Sequence, residues 1–241
     1  MDEPPVRGPI AILTGAGISK ESGLDTFRDP DGIWARHRIE DVATAEAFAR
    51  DPKRVYAFYN FRRRNLLRPE IQPNPAHFAL ARLETDWPGE VLVVTQNIDN
   101  LHERAGTRAL IHMHGEHLKA RCMDCGAVAP ISGDLDETAA CLRCHAPGRM
   151  RPHVVWFGEM PFELDRIYGF LQRASVFLSI GTSGNVYPAA DFVRIARSAG
   201  ASAVELNLEP SAGATFFERG VYGRASDIVP AFVDELLAGH G

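Results

Sequence analysis

The stretch Ile10-Ala11-Ile12-Leu13-Thr14-Gly15-Ala16-Gly17-Ile18-Ser19 decides the fold. Its short apolar run, Ile10 to Leu13, reads as a buried strand, and the polar, glycine-rich TGAGIS is the turn at which that strand ends. Three later runs repeat the arrangement: Val91 to Val94 before TQNID, Val176 to Ile180 before GTS, and Ala203 to Leu206 before NLE. The amphipathic segments Pro75 to Glu84, Ala189 to Ala199 and Val229 to Leu237 lie between or after these runs and read as helices crossing over a parallel sheet. In such an open, doubly wound α/β sheet, ligands bind beyond the carboxyl ends of the strands. All four polar motifs fall on that edge.

The expected fold is therefore α/β, a Rossmann-like doubly wound parallel sheet, with two stretches left over. Residues 29–75 carry a helical pattern rich in aromatics and arginines, and residues 114–151 hold all of the chain's cysteines. Both are expected to be insertions that pack together as a smaller domain beside the sheet, which is assigned residues 1–28, 76–113 and 152–241. The cleft between large and small domains is the expected small-molecule site.

Cys122, Cys125, Cys141 and Cys144 form two CxxC pairs. Two such turns complete the tetrahedron of thiolates that zinc prefers in closed structural sites. Paired disulfides would need an oxidising compartment, and a redox CxxC would leave the second pair unexplained. With every position filled by protein sulfur, the metal is expected to hold structure while the chemistry lies elsewhere.

At 241 residues and 45% hydrophobic content the chain suits one sizeable core plus a smaller module. The opening MDEPPVRGP is acidic and proline-rich without an apolar segment, and no later apolar run approaches a membrane span. With the paired cysteines, this leads us to expect a cytoplasmic protein. The net charge of -5 argues against nucleic acid as a partner, although Arg62, Arg63 and Arg64 form a local basic run.

Glycine at positions 15 and 17 lets a backbone turn approach a pyrophosphate, but Lys20 stands where the third glycine of GxGxxG would be. Taken alone, GxG after a strand reads sooner as a plain tight turn. The continuation through Ser22-Gly23-Leu24 and Phe27-Arg28 is longer than a simple crossover needs. Gln96-Asn97-Ile98-Asp99 crowds amides and a carboxylate at a strand end, suited to a carboxamide and ribose hydroxyls; a helix cap over Asn100 to Arg104 would explain one of them. In His112-Met113-His114 the two rings would share a strand face and could pair on a metal, but no third ligand is evident. His77 and His102 read as packed residues. His114, beside Gly115 at a strand end, is the better candidate for a general base.

Taken together and in order, GAGIS, SGL, FR, TQNIDNLH, HGE, the two CxxC pairs, GTS and NLE resemble the sirtuins, NAD-dependent protein lysine deacylases, from about Ile10 to Leu237. The segments EDVAT, FYNFRRR, HVVWFGEM and VYPAA are similar to the bacterial class III group, which removes acidic acyl groups as well as acetyl. Gly184-Asn185 after GTS departs from many relatives. The resemblance implies NAD as co-substrate and one structural zinc ion. It implies that Gly15, Ala16, Gly17 and Ser19 hold the pyrophosphate and that Phe27, Arg28 and Trp34 close over the nicotinamide side. It assigns Gln96, Asn97, Ile98 and Asp99 to nicotinamide and ribose, and Gly181, Thr182, Ser183, Asn207, Leu208, Glu209 and Ala225 to the adenosine half. His114 matches the catalytic histidine. Acylated lysines of cytoplasmic proteins would bind as extended peptides between Gly184 to Val186 and Val154 to Phe157, with Val154, Val155 and Phe157 as substrate contacts, and the products would be nicotinamide, an O-acyl-ADP-ribose and free lysine. The enzyme is expected to be a monomer.

Tyr59 and Arg62, at i and i+3, share a helix face. On the residues alone they read sooner as a core aromatic and a solvated arginine. The resemblance, with the small Ala43 upstream, implies instead an acyl channel in which the guanidinium fork meets a succinyl or malonyl carboxylate. Three other functions stay in view: an NAD-dependent dehydrogenase, which would want an intact GxGxxG and an acid about 20 residues on; a non-catalytic zinc-ribbon binding module; and mono-ADP-ribosyl transfer from the same NAD site.

Overall fold

The structure, a computed structural model, describes residues 8–26 and 33–239; nothing is said of the side chains of Trp34 and Arg36. In chain order the strands are β1 Ile10–Thr14, β2 Val91–Thr95, β3 Leu110–His112, β4 Gly115–Cys122, β5 Val128–Pro130, β6 Met150–Val154, β7 Val176–Ile180, β8 Ser202–Asn207 and β9 Arg219–Tyr222. The α-helices are α1 Ile33–Arg36, α2 Ile39–Val42, α3 Ala45–Arg50, α4 Pro52–Leu66, α5 Pro75–Asp86, α6 Leu101–Ala105, α7 Leu164–Leu171, α8 Phe192–Ser198 and α9 Ala225–Ala238.

Six strands form one parallel sheet in the order β3-β2-β1-β7-β8-β9, and β5-β4-β6 form a separate antiparallel sheet. Alternation along each central strand divides the large core in two. Ile10 and Ile12 of β1 pack with Leu80 and Leu83 of α5 and Phe232 of α9. Ala11 and Leu13 face the other way, onto Ile167 and Phe170 of α7 and Phe192 of α8. Helices therefore cover both faces, which is why these strands are continuously apolar. α5 starts where Asn74 caps it, with Pro75 at the first helical position and His77 returning a bond to the Asn74 backbone.

The four expected strands are present within a residue or two. Of the expected helices, Ala189 to Ala199 divides into a 3-10 turn, Ala189–Asp191, followed by α8. The edge strand β9 and the helix α7 have no counterpart in the sequence reading, and β3 is met there only through its end at His112. A third core joins the helical insertion to the cysteine module: Phe48, Tyr56 and Tyr59 pack with Ala120, Cys122, Met150 and Trp156. Among the described residues no helix is long and apolar enough to cross a membrane.

The centre of the large sheet is closed by glycine. Gly17 N–H donates to Gly181 O at 2.9 Å, and a Cβ at Gly17 would lie 2.7 Å from Gly181 Cα. Gly169, inside α7, has nothing within 4 Å of an added Cβ. Gly17→Ala is therefore expected to destabilise the protein by roughly 1–3 kcal/mol through overpacking. Gly169→Ala should stabilise by about 0.5–1 kcal/mol by removing backbone freedom from the unfolded chain. Denaturant unfolding of the two variants, which should move the midpoint in opposite directions, checks both.

Candidate active site

β1 lies between β2 and β7, and the chain builds the sheet outward from it first on one side and then on the other, so the loops after these strands diverge and leave a crevice. A cavity of about 550 Å³ occupies it, within the range of small-molecule sites. Gly15, Ala16 and Gly17 line one wall, opening a 3-10 helix, Ala16–Ser22, that ends at the left-handed Gly23. Gln96, Asn97, Ile98 and His114 line the next wall, and Gly181, Thr182, Ser183, Asn207, Leu208, Glu209 and Ala225 line the far end. Ala43, Tyr59, Arg62, Val154, Val155 and Phe157 enclose the end next to the small domain. Phe27 and Arg28 lie outside the described residues, as does the side chain of Trp34.

Ser19 and Asp99 stand behind the wall. Asp99 Oδ2 accepts from Ser19 Oγ at 3.1 Å, and its Oδ1 accepts from Leu101 N at 3.1 Å at the start of α6. Burial pushes the Asp99 carboxyl upward while these bonds oppose the shift. Asn97 Nδ2 donates to Gly15 O at 3.0 Å and to Ser19 Oγ at 3.2 Å, tying the loop after β2 to the glycine turn. Part of the polar crowding read as ligand chemistry is thus internal bracing, and Asp99 supplies the helix-start bond as well.

β3 ends at His112, so His112 and His114 do not share a strand. His112 uses its two ring nitrogens on Asn97 O at 3.1 Å and Glu103 Oε1 at 2.9 Å. Burial disfavours its charge, but the Glu103 carboxylate outweighs this and raises its pKa. His114 Nδ1 sits 3.1 Å from Gln96 O. A carbonyl only accepts, so Nδ1 carries the proton and Nε2 is left basic. Burial lowers the pKa of this ring, keeping it neutral, with the Gln96 bond as the smaller opposing effect. His77 and His102 are packed: burial depresses the first to about 4 and the second well below its usual range.

The arginine run separates by helix geometry, since successive residues turn by about 100°. Arg62 faces the cavity, half-buried, its guanidinium 5.5 Å from the Phe58 ring centre. Arg63 is fully buried and donates to His117 O at 3.1 Å, Asn60 Oδ1 at 2.8 Å and Gly133 O at 3.2 Å. Arg64 pairs with Asp134 at the surface. The basic run is not a patch, and Arg62 is not one of three solvated arginines.

The four cysteine Sγ atoms lie within 4.8 Å of one another. Cys122 to Cys144 is 3.7 Å and Cys125 to Cys141 is 3.6 Å. A zinc–sulfur distance of about 2.3 Å sets a tetrahedral edge of about 3.8 Å, so the donor set fits zinc. Disulfides would require sulfurs near 2 Å. None of the four cysteines lines the cavity.

An α/β nucleotide-type crevice with a closed thiolate site in an appended module defines the class. The chain belongs to the Sir2 family: the family model of that description matches residues 15–188. It is 57% identical over 230 residues to an NAD-dependent protein deacylase of Salmonella typhimurium, covering 95% of this chain and 84% of that one. The corresponding protein of Vibrio cholerae is 57% identical over 229 residues, covering 95% and 93%. A solved Sir2 homologue in complex with NAD superposes with a TM-score of 0.87 at 36% identity, covering 97% of this chain and 91% of that one. A Sir2 protein bound to acetylated peptide superposes with a TM-score of 0.81 at 28% identity, covering 97% and 94%.

Sequence reading gave no site role to Glu21, Thr26, Glu159 or Arg224 and took Lys20 only as a break in the glycine pattern, yet all of them line the cavity. Glu21 could have been found only through tertiary contact: its Oε2 accepts from Ser226 N at 2.8 Å, capping α9 from 205 residues away.

Zinc analysis of the purified protein is expected to find about one ion per chain. Cys122→Ser should lower the thermal midpoint and activity together, because Cys122 and Cys141 are core residues of the small domain. A strong chelator at raised temperature should do the same to the wild type.

Proposed function

We propose that this protein is an NAD-dependent protein lysine deacylase that removes acetyl and acidic acyl groups. The observation that carries the reading is the single cavity that brings the strand-end loops of the parallel sheet, His114, and the Tyr59–Arg62 pair of the small domain around one space. Residues 1–28, 76–113 and 152–241 form the cofactor-binding domain, 29–75 the helical insertion and 114–151 the zinc module. NAD supplies a ribose carbon from which nicotinamide departs.

The chain's own residues then have definite work. Gly15, Ala16 and Gly17 hold the pyrophosphate side, with Ser19 bracing that turn from behind; Gly181, Thr182, Ser183, Asn207, Leu208, Glu209 and Ala225 take the adenosine side. Gln96, Asn97, Ile98 and the buried Asp99 orient nicotinamide and its ribose, and Phe27, Arg28 and Trp34 cover them. His114, its Nδ1 proton held by Gln96 O, takes a proton from a ribose hydroxyl at Nε2, assistance worth roughly a hundred- to ten-thousand-fold in rate. The zinc ion, held by Cys122, Cys125, Cys141 and Cys144, takes no part in that step.

The acylated lysine of a protein substrate enters past Val154, Val155 and Phe157, opposite Gly184 to Val186. The N–H groups of Val155, Trp156 and Phe157 are already bonded to His114 O, Glu159 Oε2 and Ala43 O at 2.9, 2.9 and 3.0 Å. That side therefore meets an extended peptide through its carbonyl oxygens. Tyr59 and Arg62 select the acyl end. The proposed setting is the cytoplasm, with the protein acting as a monomer on other proteins and without nucleic acid.

Incubation with NAD and acyl-lysine peptide should release nicotinamide, free lysine peptide and an O-acyl-ADP-ribose by mass spectrometry. NADH formation would instead mark a dehydrogenase, and ADP-ribose retained on protein a transferase. His114→Ala should abolish deacylation while circular dichroism is unchanged. In the wild type the neutral imidazole is the active form, so activity is full above its pKa and falls as pH drops through it. Because burial lowers that pKa, the acid limb of kcat/KM should lie below 6.5, the ordinary value for histidine.

Arg62→Met should reduce kcat/KM for succinyl peptide about ten- to a hundredfold more than for acetyl peptide, the worth of one charge-assisted hydrogen bond. An unchanged ratio would reduce the protein to a plain deacetylase.

A further inference from the structure

We propose that Trp156 is a specificity-positioning residue: its indole N–H, donated to the Tyr59 hydroxyl, turns that hydroxyl's own proton toward the carboxylate of an acidic acyl group. The proposal deepens the acidic-acyl reading above and rests on it.

Trp156 Nε1 lies 3.0 Å from Tyr59 Oη, and both residues are almost fully buried at the cavity wall beside Arg62. An indole nitrogen only donates, so the phenol oxygen must accept here. Among the described residues no other hydrogen bond to this hydroxyl competes, and its proton is left for whatever fills the channel. An unguided hydroxyl could present a lone pair instead, which a carboxylate would repel. Burial pushes the Tyr59 phenol up to about 12, with Arg62 the largest opposing influence, so the group keeps its proton at working pH.

The donor is itself held fast. The Arg151 guanidinium lies 3.3 Å from the Trp156 ring centre. Arg151 forks onto Glu159, Nη1 to Oε1 at 2.6 Å and Nη2 to Oε2 at 3.0 Å, and Nη2 also donates to Val154 O at 2.9 Å. Glu159 Oε2 accepts the Trp156 backbone N–H at 2.9 Å, and Arg121 adds a bond to Oε1 at 3.1 Å. Phe48 packs against the ring at 5.2 Å between centres. A phenylalanine could fill this slot and keep the Arg151 stacking. What tryptophan adds is the N–H, on a ring whose position is fixed by a bidentate ion pair.

The test compares succinyl- and acetyl-lysine peptides of one sequence in the wild type, Trp156→Phe, Tyr59→Phe, the double variant and Arg62→Met. Trp156→Phe should lower the succinyl-to-acetyl ratio of kcat/KM about three- to tenfold, mainly through KM for the succinyl peptide, the size expected for one hydrogen bond. In the Tyr59→Phe background the same change should have little further effect on the ratio, since the two residues act as one unit. If Arg62→Met lowers the ratio while Trp156→Phe leaves it unchanged, or if the Trp156→Phe effect persists undiminished without the Tyr59 hydroxyl, this proposal is overturned and the acidic-acyl reading stands. If Arg62→Met leaves the ratio unchanged, that reading fails and takes this proposal with it. Should Trp156→Phe not fold, the nitrogen-labelled indole resonance of Trp156 decides: it should move upfield in Tyr59→Phe, and an unmoved resonance overturns the assignment.

Discussion

The contact between the glycine turn after β1 and the backbone at Gly181 is the constraint on which the site depends. Gly15 N donates to Ile180 O at 2.9 Å, Gly17 N to Gly181 O at 2.9 Å, and Gly181 N to Leu206 O at 3.0 Å. Three strand ends are thereby linked edge to edge, with no side chain between them. Gly181 sits at φ +64, and a Cβ on it would lie 2.4 Å from Ile18 N. Glycine on both sides of the contact lets two main chains approach as closely as strands in a ladder, so the crevice floor is made of backbone. A floor of that kind presents N–H and C=O groups at fixed positions and gives a polar ligand a surface that rotamer changes cannot blur.

Beneath this floor lies a set of buried polar groups whose protonation the fold prescribes. Asn74 N donates to His77 Nδ1 at 3.3 Å, so the neutral ring carries its proton at Nε2, toward Ser19 Oγ at 3.5 Å. Ser19 then accepts from Asn97 and donates to Asp99. Protonating His77 would set Nδ1–H against the Asn74 N–H, so burial and geometry both favour the neutral form. His102 is held likewise, with Thr14 Oγ1 3.0 Å from its Nε2. The loop after β2 is thus fixed from behind by a chain of neutral donors and acceptors, and the one carboxylate in it is braced by two hydrogen bonds.

The central strands and the cysteine site were legible in the sequence because each rests on a local signal: apolar runs ended by polar turns, and cysteines at a ligand's spacing. Edge strand β9, Arg219–Tyr222, is half exposed and carries no apolar run, so it had none. The site residues at strand ends were legible for the same reason as the strands. Glu159 was not, nor was the bond that places the Trp156 indole, since the first follows from Arg151 8 residues back and the second from Tyr59 across 97 residues of chain. Local pattern also could not divide Arg62, Arg63 and Arg64 among channel, core and surface. That division needs the helix to be docked, and the docking is set by the cysteine module.

On the proposed reading, helix α4 lets a metal site that touches no substrate shape the selection of one. Tyr59 and Arg62 face the cavity, while Tyr56, Asn60 and Arg63 of the same helix reach the cysteine module. Tyr56 Oη donates to Met150 O at 2.5 Å, and Asn60 exchanges bonds with Leu135 at 2.8 and 2.9 Å. Arg63 reaches His117 O and Gly133 O. Cys122 and Cys141 belong to the same apolar cluster as Tyr56, Tyr59 and Trp156. The module is short of regular structure, with a three-stranded sheet of which β5 has only three residues, so its loops cannot hold these acceptors in place by backbone pairing alone. A tetrahedral metal joining both CxxC turns supplies that rigidity. Through Asn60 and Arg63 it fixes the rotation of α4 about its axis, and that rotation decides whether Tyr59 and Arg62 point into the channel. The cysteine site and the proposed acyl site are two ends of one packed unit, joined by a single helix.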